Sequence, residues 1–203
     1  LHSVGGYNIG FSLVLRYGLS KVSATIRQYT PKPIIYDHQK AGTDIPDTAE
    51  IFAKACAQNS VDAIILFPFT GPKAQVAWIE AMQKEGLGVI VGAEMTHENF
   101  FASEKGYIDD SAPLKIFDLA VSLGVTDFVV PGNKPQKIVE YKKFFEGKKI
   151  RPALYSPGFV AQGGKISDSA KIAGDKWHAI IGRAIISAKD KRKAVQELAK
   201  ELL

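Results

Sequence analysis

The stretch Asp62-Ala63-Ile64-Ile65-Leu66-Phe67-Pro68-Phe69-Thr70-Gly71 decides the fold. Its apolar run carries almost no polar alternation and ends abruptly in a Pro/Thr/Gly turn. Such a run suits a strand buried on both faces, as strands of a parallel sheet are. Beyond the turn, Ala74–Glu85 sets Val76, Ile79 and Met82 at helical spacing. Gly86-Leu87-Gly88 follows where a helix C-cap belongs, and Val89–Glu94 begins a second apolar strand. The segment therefore reads strand, helix, strand, the connection that joins parallel neighbours.

The same reading extends in both directions. Strands are expected at Tyr7–Gly10, Pro33–His38, Asp62–Pro68, Val89–Glu94, Asp127–Pro131, Arg151–Ser156 and His178–Gly182. Helical spacing recurs in Pro113–Leu123 (Leu114, Phe117, Ala120, Val121) and in Lys191–Leu203 (Val195, Leu198, Ala199, Leu202). Gly124 separates a helix from the next strand, whereas strands run into polar or Gly/Pro-rich loops such as Pro131-Gly132-Asn133 and Ser156-Pro157-Gly158. No linker or composition break divides residues 1–203, so one domain is expected. About seven βα units imply an α/β fold with a parallel sheet, one unit short of a closed (β/α)8 TIM barrel. A doubly wound open sheet is the rival, but no Gly-x-Gly-x-x-Gly follows the first strand.

The composition narrows the function classes. The 203 residues are 46% apolar and 23% charged, ample for a core and inconsistent with a disordered or disulfide-scaffold chain. The single cysteine, Cys56, cannot form an internal disulfide, which points to a reducing, cytoplasmic setting. No apolar run approaches the ~18–20 residues of a membrane span, so no membrane partner is expected. The net charge of +5 gathers in Lys142-Lys143, Lys148-Lys149 and Lys189–Lys193, on segments with helical spacing and no interleaved aromatics. These are solvated helix faces rather than a nucleic-acid surface, although a mild positive field helps to gather a phosphorylated substrate.

Chemistry concentrates at two sets of strand ends. The last two read Ser156-Pro157-Gly158-Phe159-Val160-Ala161-Gln162-Gly163-Gly164 and Ile181-Gly182-Arg183. Glycines let backbone N–H groups approach an anion, Gln162 offers an amide, and Arg183 can grip phosphate oxygens in bidentate fashion. The second set is Tyr36-Asp37-His38-Gln39-Lys40-Ala41-Gly42-Thr43-Asp44-Ile45-Pro46, where an apolar strand delivers two carboxylates and an ammonium into one loop. A fixed negative charge beside a proton donor suits acid–base chemistry, and an ion-paired loop ending in a helix cap at Asp47 or Thr48 is the plainer alternative. His38 and His97 lack the local spacing of a metal motif, so no metal is expected; Trp78 and Trp177 read as packing.

Together with Gly10-Phe11-Ser12-Leu13-Val14-Leu15-Arg16-Tyr17-Gly18-Leu19 and Ala93-Glu94-Met95-Thr96-His97, these motifs resemble orotidine 5′-phosphate decarboxylase in its short archaeal form. The resemblance spans nearly the whole chain in the right order. It implies a (β/α)8-barrel homodimer that converts orotidine 5′-monophosphate to uridine 5′-monophosphate without cofactor or metal. By the same resemblance, Asp37 faces the substrate carboxylate and Lys40 protonates C6 after carbon dioxide leaves. Asp44 and Ile45 reach the neighbouring subunit's site, and Thr96 contacts the pyrimidine. Gln162 and Arg183 hold the 5′-phosphate with the backbone around Gly163 and Gly182 nearby, and Pro157 and Asn8 are further substrate-binding residues.

Three departures accompany the match. The family spacing Asp-x-Lys-x-x-Asp is here Asp37-x-x-Lys40-x-x-x-Asp44, two residues longer. The lysine that the family carries on the first visible strand is replaced by Asn8, whose amide can bond a ribose or a carboxylate but supplies no charge. The family's first strand and helix have no counterpart before Leu1, so the barrel is expected to lack its N-terminal βα unit in this chain. Two rival functions fit the same residues: a magnesium-dependent hexulose-phosphate synthase-like lyase, and a non-catalytic nucleotide-phosphate binder.

Overall fold

The computed structural model describes residues 4–38, 43–159 and 164–201. The chain forms two compact units, one of Gly5–Ala93 with Lys115–Val125, the other of Leu1–Val4, Glu94–Leu114 and Thr126–Leu203.

The first unit contains β1 (Tyr7–Gly10), α1 (Phe11–Tyr17), α2 (Leu19–Arg27), β2 (Ile34–Asp37), α3 (Ala49–Gln58), β3 (Ala63–Leu66), α4 (Pro72–Lys84) and β4 (Gly88–Gly92). Most of α5 (Ala112–Ser122) also belongs to it. The four strands are parallel and pair in chain order, with Gly10 opposite Asp37, Asp37 opposite Ile65 and Ile65 opposite Ile90. The continuous apolar runs are explained by burial, since Ile34, Ile64, Leu66 and Val91 are fully enclosed. Pro72 opens α4 in its first turn, where a missing N–H costs nothing, and Trp78, Ile79 and Met82 form its buried face. Gln75 and Gln83 donate from their side-chain amides to Ile116 O and Leu123 O, tying α4 to α5 and the turn after it. Gly86 and Gly124 close their helices with φ of 73° and 80°, a conformation that costs a glycine little.

The second unit contains β5 (Asp127–Val129), α6 (Pro135–Gly147), β6 (Ala153–Ser156), α7 (Ile166–Ala173), β7 (Trp177–Ala179), α8 (Arg183–Ile186) and α9 (Lys191–Lys200). Its strands are again parallel and paired in order. Phe128 of β5 meets Phe145 of α6 with ring centroids 4.4 Å apart, and Ile138, Tyr141 and Leu154 complete a buried core around them. The seventh strand departs from the sequence expectation. It runs Trp177–Ala179 rather than His178–Gly182, because Trp177 pairs with Leu154 and the last ladder bond is Ile180 N–H to Ser156 O. Ile181-Gly182 then leave the sheet and lead into α8.

Candidate active site

Strand alternation sorts the residues at the end of β2. Successive side chains point to opposite faces, so Asp37 stands on one and Tyr36 and His38 on the other. Tyr36 and His38 join an aromatic cluster with Phe52, itself tilted against Trp78, and the Tyr36 hydroxyl pairs with His38 Nδ1. Burial pushes the Tyr36 hydroxyl up to about 12 and draws the His38 imidazole below its ordinary value. That face is therefore uncharged at neutral pH, and His38 is a packed residue. Among the described residues, no group of three or more His, Cys, Asp and Glu gathers in a metal-binding arrangement.

Asp37 is only 7% exposed. Gly10 lies opposite it in the β1–β2 register, and Asn8, two residues earlier on β1, shares that face. The Asn8 side chain donates from Nδ2 to Asp37 Oδ2 at 2.9 Å. The amide thus occupies the position from which a longer cation would reach the same carboxylate. It gives Asp37 Oδ2 a donor without adding a charge.

From Thr43 to Thr48 the chain is fastened at several points. Thr43 Oγ1 donates to Phe67 O at 3.0 Å and Thr70 Oγ1 to Asp44 O at 3.4 Å. Trp78 Nε1 donates to Ile45 O at 3.2 Å, and Thr48 Oγ1 reaches the same carbonyl at 2.9 Å. With their main chain held in this way, the Asp44 and Ile45 side chains stay exposed, Ile45 at 56%. Thr48 forms no side-chain cap on α3, so the alternative reading of this loop as a capping motif does not hold for that residue. Lys40 lies outside the described residues, as do Gln162 and Gly163.

The second unit carries the remaining expected residues, Thr96, Pro157, Gly182 and Arg183. The turn after β5 ties two of their segments together: Asn133 Nδ2 donates to Thr96 O at 2.9 Å and Gly132 N–H to Pro157 O at 2.8 Å. Gly132 is required there, since a Cβ would sit 2.3 Å from the Phe159 ring. Gly158 takes φ +106° in the Ser-Pro-Gly turn, and Phe159 forms an isolated bridge with Gly164. Gly132 and Gly164 serve close backbone packing. Gly182 differs, because a Cβ there would meet nothing within 4 Å, which leaves its backbone open to approach. Arg183 next to it is exposed, and among the described residues no carboxylate or carbonyl holds its guanidinium.

Sequence reasoning assigned no role to Glu94, Asn133, Lys134 or Tyr141. Glu94 is fully buried, accepting from Lys134 Nζ at 2.9 Å and from the Tyr141 hydroxyl. A glutamate closing an otherwise apolar strand end was the available signal, but its partners lie about 40 residues further along the chain. Burial, reinforced by the Glu94 charge, pushes the Tyr141 hydroxyl far upward, so it remains a donor at any working pH.

The chain is similar to several known proteins. The model of the orotidine 5′-phosphate decarboxylase / HUMPS family matches residues 2–198. The orotidine 5′-phosphate decarboxylase of Methanosarcina mazei is 33% identical over 199 residues, covering 98% of this chain and 84% of its own length. Its counterpart in Thermococcus kodakarensis is 31% identical, covering 96% and 83%. The crystal structure of the Methanocaldococcus jannaschii orotidine 5′-monophosphate decarboxylase, complexed with the inhibitor BMP, superposes with a TM-score of 0.84 at 28% identity, covering 99% of this chain and 87% of that one. The fold is accordingly the α/β TIM-barrel type.

Proposed function

This chain belongs to the orotidine 5′-phosphate decarboxylase / HUMPS family, and we propose that it acts there as the decarboxylase, a carboxy-lyase converting orotidine 5′-monophosphate to uridine 5′-monophosphate and carbon dioxide in pyrimidine biosynthesis. The observation that carries the reading is the buried Asp37 carboxylate at the end of β2, held by Asn8 and followed at once by the loop of Lys40 and Asp44. Loss of carbon dioxide from C6 leaves an electron pair with no conjugated sink. A cation must stabilise that charge and then deliver a proton, the role we give Lys40. Asp37, with its Asn8 hydrogen bond, stands against the substrate carboxylate as a negative neighbour of that lysine. Arg183, with no internal partner among the described residues, takes the 5′-phosphate beside Gln162 and the backbone of Gly163 and Gly182. Thr96 contacts the pyrimidine, and Pro157 belongs to the same substrate-binding set.

We further propose that the whole chain works as one decarboxylase domain in a cytoplasmic homodimer. The exposed Asp44 and Ile45 side chains on a fastened backbone support a contact reaching into the neighbouring subunit's site.

Loss of orotidine 5′-monophosphate absorbance tests the activity. The protein should turn the substrate over with EDTA present, and Lys40→Ala should abolish turnover. Tight uridine 5′-monophosphate binding without turnover would leave only a nucleotide binder, and dependence on magnesium would favour the hexulose-phosphate synthase branch. Mixing Lys40→Ala with Asp44→Ala subunits tests the dimer, because each mixed dimer then holds one intact and one doubly damaged site. No recovered activity after confirmed subunit exchange means self-contained sites.

A further inference from the structure

The strand end at Glu94 is built more heavily than a turn requires. Lys134 Nζ bonds Glu94 Oε1 at 2.9 Å and Met95 O at 3.3 Å, while the neighbouring Asn133 Nδ2 bonds Thr96 O at 2.9 Å. Two successive residues of the turn after β5 therefore grip two successive carbonyls of the segment past β4. Glu94 is the anchor, since its carboxylate is fully buried and takes its second bond from the Tyr141 hydroxyl. Lys134 also lies over the Phe101 ring, 5.8 Å from the centroid, which limits the room for other rotamers of its long side chain.

A buried ion pair is a poor way to gain stability, because apolar side chains of similar volume often pack as well. Its use here is directional. The Glu94 carboxylate aims the Lys134 ammonium at Met95 O, and that bond together with Asn133 fixes the backbone immediately around Thr96. We propose that Glu94, Lys134 and Tyr141 are positioning residues, a buried clamp that sets the Thr96 hydroxyl against the pyrimidine ring of the substrate. The inference rests on the decarboxylase reading for the role of Thr96 and on the geometry above for the clamp itself.

A double-mutant cycle with a structural readout tests it. Lys134→Met lowers kcat/KM for orotidine 5′-monophosphate by about 10- to 100-fold, the scale of a small misplacement of a binding group. Lys134→Arg recovers part of that loss. Combining Lys134→Met with Thr96→Ala costs little more than Thr96→Ala alone, because both remove the same contact. Lys200→Met is the control: Lys200 pairs with Glu197 on the exposed face of α9, away from the clamp, and its loss leaves the kinetics unchanged. In parallel, amide hydrogen exchange over residues 93–98 rises in Lys134→Met and Glu94→Gln but not in Lys200→Met. Multiplicative losses in the cycle, or unchanged exchange over that segment, overturn the proposal. A wild-type protein without turnover counts against the decarboxylase reading alone, and the exchange measurement then decides the clamp.

Discussion

Asn8 offers the sharpest test of the site, because its side chain bonds a buried carboxylate directly. Its amide donates to Asp37 Oδ2 at 2.9 Å, with Asp37 7% exposed. A hydrogen bond to a charged group contributes about 1.5–3 kcal/mol. Asn8 itself is exposed, so water can enter where it is cut back. Asn8→Ala should therefore cost near the lower end, about 1.5 kcal/mol of stability. Asn8→Asp removes the same donor and sets a second carboxylate against the first. Two like charges about 4 Å apart repel by about 2–4 kcal/mol at an effective dielectric of 40 to 20, and exposure favours the smaller value. The aspartate variant should then lie about 2 kcal/mol below the alanine variant at pH 7. Repulsion raises the carboxyl pair above its unfolded value. The deficit of Asn8→Asp against Asn8→Ala is accordingly relieved as pH falls and grows as pH rises. Urea unfolding of the three proteins at pH 5 and pH 8 measures both differences. In turnover, Asn8→Ala should lose about tenfold in kcat/KM if Asp37 acts in the orientation Asn8 gives it, since ~1.4 kcal/mol is one factor of ten. Equal stability of the two variants at pH 8 would refute the reasoning, because the two side chains would then not face each other.

Other consequences are more local. Arg183→Ala should weaken uridine 5′-monophosphate binding by about 100-fold in calorimetry, the loss of a charge-assisted bidentate grip worth about 2–3 kcal/mol. Its melting temperature should hardly move, as Arg183 is exposed, and unchanged affinity would remove it from the site. Gly132→Ala forces a Cβ to within 2.3 Å of the Phe159 ring and 2.8 Å of Pro157 O. It should destabilise by about 1–3 kcal/mol, and a melting temperature equal to wild type would contradict the close approach. Burial pushes the Cys56 thiol up to about 12, so a thiol reagent at pH 8 should leave the folded protein unlabelled and modify one cysteine per chain in urea. A thiol raised above its unfolded value of about 8.5 is still protonated in the folded chain where the unfolded chain has lost its proton. Stability should therefore decline as pH rises from there toward the folded value, and a flat alkaline profile would count against the burial.

Much of the architecture was legible because its determinants are local. A run such as Ala63–Leu66, apolar on both faces, has few stable settings other than the middle of a parallel sheet. Gly86 and Gly124 mark helix ends because a left-handed backbone is costly for other residues. The seventh strand was misjudged by a residue at one end and three at the other. Trp177 joins through its pairing with Leu154, and nothing local to His178–Gly182 reports that the ladder stops after Ile180. The site was legible in part for a similar reason. Asp37, Asp44 and Arg183 follow strand ends, so their positions come with the βα pattern, whereas Asn8 drew notice only as a departure from a resemblance.

By itself, then, the sequence determined the βα order, the helix caps, the strand ends that carry polar side chains and the family to which they belong. All of these depend on residues within a few positions of one another or on motifs in fixed order. Tertiary structure alone decided the partnerships. It joined Asn8 to Asp37 across 29 residues and Lys134 to Glu94 across 40, and it assigned Gly132 to packing and Gly182 to open space. Pairings of that kind depend on which strands become neighbours and on which face each side chain then shares. A linear pattern encodes each residue's own tendency, and the partner that satisfies it is set only when the chain closes on itself.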